Sequence, residues 1–209
     1  MKICRSSKSG EILDLKNKYL ILRKIRYGES DLIIHGLSIT GARMNFIARG
    51  ALRSQKRFGG GILDPLNFVQ LTYQQAAEGK LSALKDATLI NDFPGLRKDY
   101  DRLEFALKML EAVGKVCQEG DTGSAFLFNL LGNGLTALEK AAELGPLKLQ
   151  FWLKFLLQQG VLVSEPWMTP FLKANISESE KIQAAGLREI RRLRALELQV
   201  EDYIKNATL

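Results

Sequence analysis

The segment Asn91-Asp92-Phe93-Pro94-Gly95 separates two regions of different hydrophobic period, and this change constrains the fold more than any other feature of the sequence. Before it, short stretches rich in β-branched and aromatic residues are separated by turn residues, the pattern of a small all-β unit. Strands are predicted at 17–25, 31–38, 43–48, 67–74 and 80–89. Tyr27-Gly28-Glu29, Thr40-Gly41 and Glu78-Gly79 supply turns, and Arg49 to Gly61 forms the long connection between the third and fourth strands. Five short strands with one long connection fit a five-stranded barrel, and the OB-fold is the commonest such barrel with a nucleic-acid surface.

After Pro94 the spacing becomes helical. Leu103, Leu107, Leu110, Gly114 and Cys117 make one stripe and Phe105, Met109, Ala112 and Val116 an adjacent one, predicting a helix over 96–118 buried on a wide face. Leu127, Leu130, Leu131, Leu135, Leu138 and Ala142 predict a second helix. Pro146 opens a third, whose run Leu147 to Leu157 is apolar nearly all round and therefore central. Residues 161–175, with Pro166 and Pro170, read as irregular. A final amphipathic helix over 179–206 turns Leu187, Ile190, Leu193, Leu196, Val200 and Ile204 inward and Arg188, Arg191, Arg192 and Arg194 largely outward. The expected class is α+β: an N-terminal five-stranded OB-fold barrel over residues 1–91, followed by an all-α helical domain over 92–209.

Charge is distributed unevenly over these two parts. Residues 1–60 carry thirteen Lys and Arg against four Asp and Glu, a net of +9, whereas the whole chain stands at +7. Such asymmetry points to a nucleic-acid or anionic-membrane partner. The stretch from Arg49 to Gly61 concentrates it, with four cations, one aromatic residue, four glycines and no acid. Apolar runs do not exceed four residues, against the roughly 20 of a membrane span, and no apolar segment of a secretory signal follows the basic start. Cys4 and Cys117 do not form a disulfide framework, so a soluble, cytoplasmic protein with reduced thiols is expected.

Three successive N-terminal segments resemble those of a known family. Tyr27-Gly28-Glu29-Ser30, then Ile47-Ala48-Arg49-Gly50-Ala51 leading into Arg53-Ser54-Gln55-Lys56-Arg57-Phe58-Gly59-Gly60, then Leu63-Asp64-Pro65-Leu66, are similar in order and spacing to the signatures of the RecO family of recombination mediators. The resemblance is densest between Tyr27 and Leu66 and thin after Pro94. It implies an OB-fold joined to a helical domain, binding of single- and double-stranded DNA, annealing of complementary strands, and cooperation with RecR to load RecA. It also implies a site on the helical domain for the acidic, Phe-ending tail of single-stranded DNA-binding protein. Many relatives carry a four-cysteine zinc module, but from Gly160 to Leu209 this chain has no Cys or His, so no metal is expected there.

The residues expected to grip DNA are Arg43, Arg49, Arg53, Lys56 and Arg57, with Lys24 and Arg26 on the adjacent turn. Their long cationic arms suit phosphates, and the neighbouring glycines let backbone approach closely. Tyr27 and Phe58 are the preferred rings for base stacking, ahead of the strand residues Phe46 and Tyr73. Nothing in the loop offers a base-specific code. For the tail site, a family arginine falls at Gln150, leaving Phe151 as the apolar contact and Lys148 and Lys154 as substitute cations.

No catalytic constellation emerges. His35 is the sole histidine and has no evident nucleophile beside it, Asp99, Asp101 and Glu104 open a helix where acids favour the dipole, and Gly59-Gly60-Gly61 lacks a P-loop ending. A non-enzymatic protein is expected. The alternative reading is an RNA-binding or ribosome-associated OB-fold module, with a DNA-processing enzyme as the further rival.

Overall fold

A computed structural model describes residues 14–77, 80–120 and 125–207; Cys4 and the expected Glu78-Gly79 turn lie outside the described residues. Five strands, β1 (Asp14–Tyr27), β2 (Asp31–Ser38), β3 (Arg43–Ala48), β4 (Phe68–Gln74) and β5 (Ser82–Asn91), close a barrel in the order β1-β2-β3-β5-β4. All neighbours are antiparallel except β3 and β5, and the topology is that of the expected OB-fold.

β1 is longer than the sequence suggests because it serves two partners. Its first half pairs with β4, from Asp14 opposite Gln74 to Leu20 opposite Phe68, and its second with β2, ending at Tyr27 opposite Asp31. A register shift between Ile21 and Arg23 marks the bend needed to close a small barrel. Inside, Tyr19, Phe46 and Tyr73 meet edge to face at centroid distances of 5.0–6.0 Å. The Tyr19 hydroxyl donates to the Tyr73 oxygen at 3.0 Å, and burial holds the Tyr19 phenol well above its ordinary pKa. Both rings named as secondary stacking candidates, Phe46 and Tyr73, are thus barrel core.

The connection from Arg49 to Gly61 is not a featureless loop. It contains a short helix, α1 (Gln55–Phe58), whose N-cap Ser54 accepts from the Arg57 backbone N–H. After β5 come a 3-10 turn at Leu96–Lys98 and then α2 (Tyr100–Val116), α3 (Phe126–Lys140) and α4 (Leu144–Gln158). The single helix expected over 96–118 is divided at Asp99, whose side chain caps α2 by accepting from the Arg102 N–H at 3.0 Å. α4 is central, with Phe151, Trp152 and Phe155 enclosed by neighbouring helices.

The C-terminal part differs most from expectation. Within the stretch read as irregular, Pro166–Met168 makes a 3-10 turn and Thr169–Lys173 the short helix α5. The single final helix is instead broken into a 3-10 segment (Ile176–Ile182), α6 (Gln183–Glu189), a turn at Ile190–Arg192 and α7 (Leu193–Asn206). Within α6, Gly186 meets Pro146 so closely that an added Cβ would lie 2.4 Å from a ring atom. The inward stripe is split, with Leu196 and Val200 buried but Leu187 and Ile190 exposed.

The change from strand to helix follows Asn91, yet apolar packing crosses it. Leu20, Leu22, Leu37 and Leu66, on the outside of the barrel, belong to the same buried cluster as Phe105, Leu110 and Leu130 of the helices. A separate cluster fills the barrel interior.

Candidate nucleic-acid interface

The connection between β3 and β4 is anchored to the barrel at several points. Gly50, Gly60 and Gly61 adopt positive φ, which only glycine does without strain. Leu52 N–H donates to the Ser30 carbonyl at 2.9 Å and Gly50 N–H to Asp31 Oδ1 at 2.8 Å, tying the segment to the β1–β2 turn. At the far side Asn67, itself buried, donates from Nδ2 to the Gly61 and Ile62 carbonyls at 3.0 and 3.2 Å. The fixed backbone presents Arg49, Arg53, Lys56 and Arg57 to solvent.

Phe58 takes the opposite role to the one expected. It is only 6% exposed and packs with Ala51, Leu63 and Val69 in the barrel core, so its ring is the anchor of α1 and offers no free face to a base. The reason is geometric: a four-residue helix lying on a barrel must bury at least one apolar side chain to stay there. Tyr27, in contrast, is 55% exposed at the end of β1, beside the same turn.

Strand register shows which cations share one end of the barrel. Arg26 pairs with Leu32 and Leu32 with Ala48, which immediately precedes Arg49, so Arg26, Tyr27 and the four loop cations converge there. Arg26 and Lys24 lie within β1, not on the turn. Two of the expected charges are partly neutralised by acids that sequence spacing did not bring near them. Arg53 reaches Glu29 at 3.6 Å, and Lys24 forms an ion pair with Asp64. The Arg53 pair is well exposed and contributes little, leaving that guanidinium available for exchange onto a phosphate. Arg57 holds its own loop in shape, donating to the Ser54 hydroxyl and the Arg49 carbonyl, each at 3.3 Å.

Arg43 does not join this group. It begins β3, about 16 Å along the strand from Ala48 at the usual rise per residue, and its backbone pairs with the segment around Glu119 beyond α2. His35, read from sequence as a strand residue without a catalytic partner, lies near it: Nδ1 donates to Asn45 Oδ1 at 2.5 Å, and Asn45 Nδ2 donates to Glu119 at 2.7 Å. The lone histidine is part of a structural chain linking the barrel wall to the helical part.

The expected tail site is not formed as a pocket. Phe151 is fully buried, 6.0 Å from Phe105 and 5.1 Å from Trp152 by ring centroids, and cannot receive an incoming phenylalanine without repacking the helical core. Gln150, equally buried, donates to the carbonyls of Phe171 and Ala174 at 3.0 Å each. Lys154 donates to the Leu172 carbonyl at 2.9 Å, and burial lowers its pKa. Lys148 lies over the Phe105 ring at 5.3 Å. These residues secure the end of α5 and the face of α2.

A small barrel of this topology, with a glycine-hinged, cationic connection at one end and an outer wall docked on helices, belongs to the OB-fold class. Residues 13–93 match the family described as Recombination protein O N terminal. The DNA repair protein RecO of Maridesulfovibrio salexigens is 30% identical over 148 residues, covering 71% of this chain and 59% of that protein. Those of Rubrobacter xylanophilus and Alkaliphilus metalliredigens are 33% and 30% identical, covering 69% and 70% of this chain and 57% and 58% of their own length. The chain belongs to the RecO family of recombination and DNA-repair proteins. It spans rather less than three fifths of the length of these relatives. Among the described residues no helix is long and apolar enough to cross a membrane.

Proposed function

We propose that this protein acts as a recombination mediator: it binds single- and double-stranded DNA without strong sequence preference, anneals complementary strands and assists RecR in loading RecA. The observation that carries this reading is the convergence of Arg49, Arg53, Lys56 and Arg57 with Arg26 and exposed Tyr27 on one end of the barrel. Phosphates pair with the cations, and a base stacks on Tyr27. The loop cations are exposed and their sequence offers no base-specific code, which supports weak sequence preference. Annealing on such a surface is electrostatic and needs no catalytic residue. Two strands held on cationic surface repel each other less, and the paired duplex is the more stable product.

Salt dependence tests the reading. If the four loop cations each neutralise one phosphate of a single strand, the log-log salt slope is about −3, and a fourfold rise in salt weakens binding roughly fifty-fold. Replacing Arg53, Lys56 and Arg57 together by Ala should reduce the slope to about −0.7 and slow annealing in parallel. An unchanged affinity and slope in that variant would overturn the assignment.

A further inference from the structure

The outer wall of the barrel and α2 enclose a cleft of about 860 Å³, within the range of small-molecule sites and away from the cationic connection. Its apolar side is made by Leu22, Leu107 and Leu110, and Leu107 remains 45% exposed there despite belonging to the helical stripe. Gly114 keeps the space open: a Cβ added at this position would meet only Leu22, at 3.9 Å. The opposite side carries Arg23 and Arg43.

The charges around the cleft are not equally committed. Lys24 is paired with Asp64 and Lys115 with Glu111, the latter at 3.5 Å. Arg23 and Arg43 form no ion pair among the described residues, and Arg43 Nε is buried without a hydrogen-bond partner there. Such a donor is costly to leave unmade, and its backbone is nevertheless locked, with Arg43 N–H donating to Gln118 and Arg43 O accepting from Gly120 at 3.1 and 3.3 Å. A rigidly mounted arginine whose Nε has no partner among the described residues, set in the lining of an apolar cleft, is suited to a ligand that has an anionic group at one end and a flat apolar body at the other.

We propose that this cleft binds one nucleotide unit, with Arg43 and Arg23 taking its phosphate and the leucine wall taking its base. The unit has two chemical sources, a free mononucleotide or a single residue of a bound DNA strand. The second source rests on the DNA-binding reading above, and in that case the cleft is a separate contact at the opposite end of β3 from the loop.

Calorimetric titration of the full chain with deoxyadenosine monophosphate and with inorganic phosphate, together with fluorescence anisotropy on a labelled thymidine decamer, tests this directly. Three variants are compared with the parent chain: Arg43→Ala, Gly114→Leu, and the triple loop variant. Gly114→Leu removes no charge and replaces glycine within a helix, so it fills the cleft while preserving the fold, as thermal melting would verify. A free mononucleotide is supported if it binds at least tenfold more tightly than inorganic phosphate and loses at least tenfold in both cleft variants. A strand nucleotide is supported if decamer affinity falls at least tenfold in both cleft variants without measurable mononucleotide binding. Equal binding of phosphate and mononucleotide overturns the proposal, as does indifference of both ligands to Arg43→Ala and Gly114→Leu. In that last case a decamer still weakened by the triple loop variant leaves the DNA-binding reading intact, whereas indifference to the loop variant as well removes both.

Discussion

Tyr27 and Phe58 carry similar rings in segments that flank the same end of the barrel, and exposure gives them opposite tasks. Phe58→Ala opens a hole in the barrel core and should cost about 3–5 kcal/mol of unfolding free energy, within the range for truncating a buried phenylalanine. Tyr27→Ala should leave stability within about 0.5 kcal/mol of the parent but weaken single-strand binding by the 1–3 kcal/mol typical of one stacked base. Urea titration and anisotropy read the two effects separately, and equal stability losses would contradict the assignment. Lys154 gives a residue-scale prediction of another kind. Burial lowers its pKa from 10.5, so the unfolded chain binds more protons than the folded one as pH approaches that value. Stability attributable to Lys154 is therefore lost as pH falls through the lowered folded value and restored toward pH 10.5. Lys154→Met should flatten that alkaline slope relative to the parent chain in urea titrations at successive pH values. An identical slope in the two proteins would refute it.

At the level of elements, the short α1 decides how the cationic segment is presented. Ser54 accepts from both the backbone N–H and Nε of Arg57, at 3.4 and 3.3 Å. Ser54→Ala should cost about 1 kcal/mol of local stability, the usual value for an N-cap, and so speed amide exchange at Arg57 and Phe58 roughly fivefold. Exchange at the parent rate would show that Phe58 alone holds the turn. This element was nearly illegible in sequence, although Ser54 before it and Gly59 after it are ordinary helix boundary residues. Four residues are too few to display a helical period, and the single buried position cannot form a stripe. Strands were legible because each is a short run rich in β-branched or aromatic residues bounded by turn residues, and α2, α3 and α4 because their apolar spacing runs for 15 residues or more. Breaks in the last helical stretch, on either side of α6, leave no mark in the apolar spacing, and the close approach of Gly186 to Pro146 between them is a tertiary contact, absent from any local pattern. The same logic covers the site. Arg49, Arg53, Lys56 and Arg57 were readable as neighbours in sequence, whereas the pairing of Lys24 with Asp64 and the departure of Arg43 to the helical side depend on strand register.

For the whole molecule, the decisive feature is that the helical core includes barrel residues. Leu20, Leu22, Leu37 and Leu66 pack outward onto the helices, so neither part can retain its full apolar burial if the other opens. Leu22→Ala should cost about 2–5 kcal/mol, and its placement makes the consequence diagnostic. Both tryptophans, Trp152 and Trp167, lie in the helical part, while Phe46 and Leu71 are in the barrel interior. If the shared core makes unfolding a single cooperative event, the urea midpoint read by tryptophan fluorescence should fall by the same amount as that read from the amide signals of Phe46 and Leu71. A tryptophan transition left in place by Leu22→Ala would mean that the barrel opens alone. Coincident shifts would mean that α2 is fixed against the barrel wall as firmly as the wall's own strands are paired. The cationic end and the interdomain cleft would then be rigidly spaced along β3, as a surface that steers a DNA strand requires.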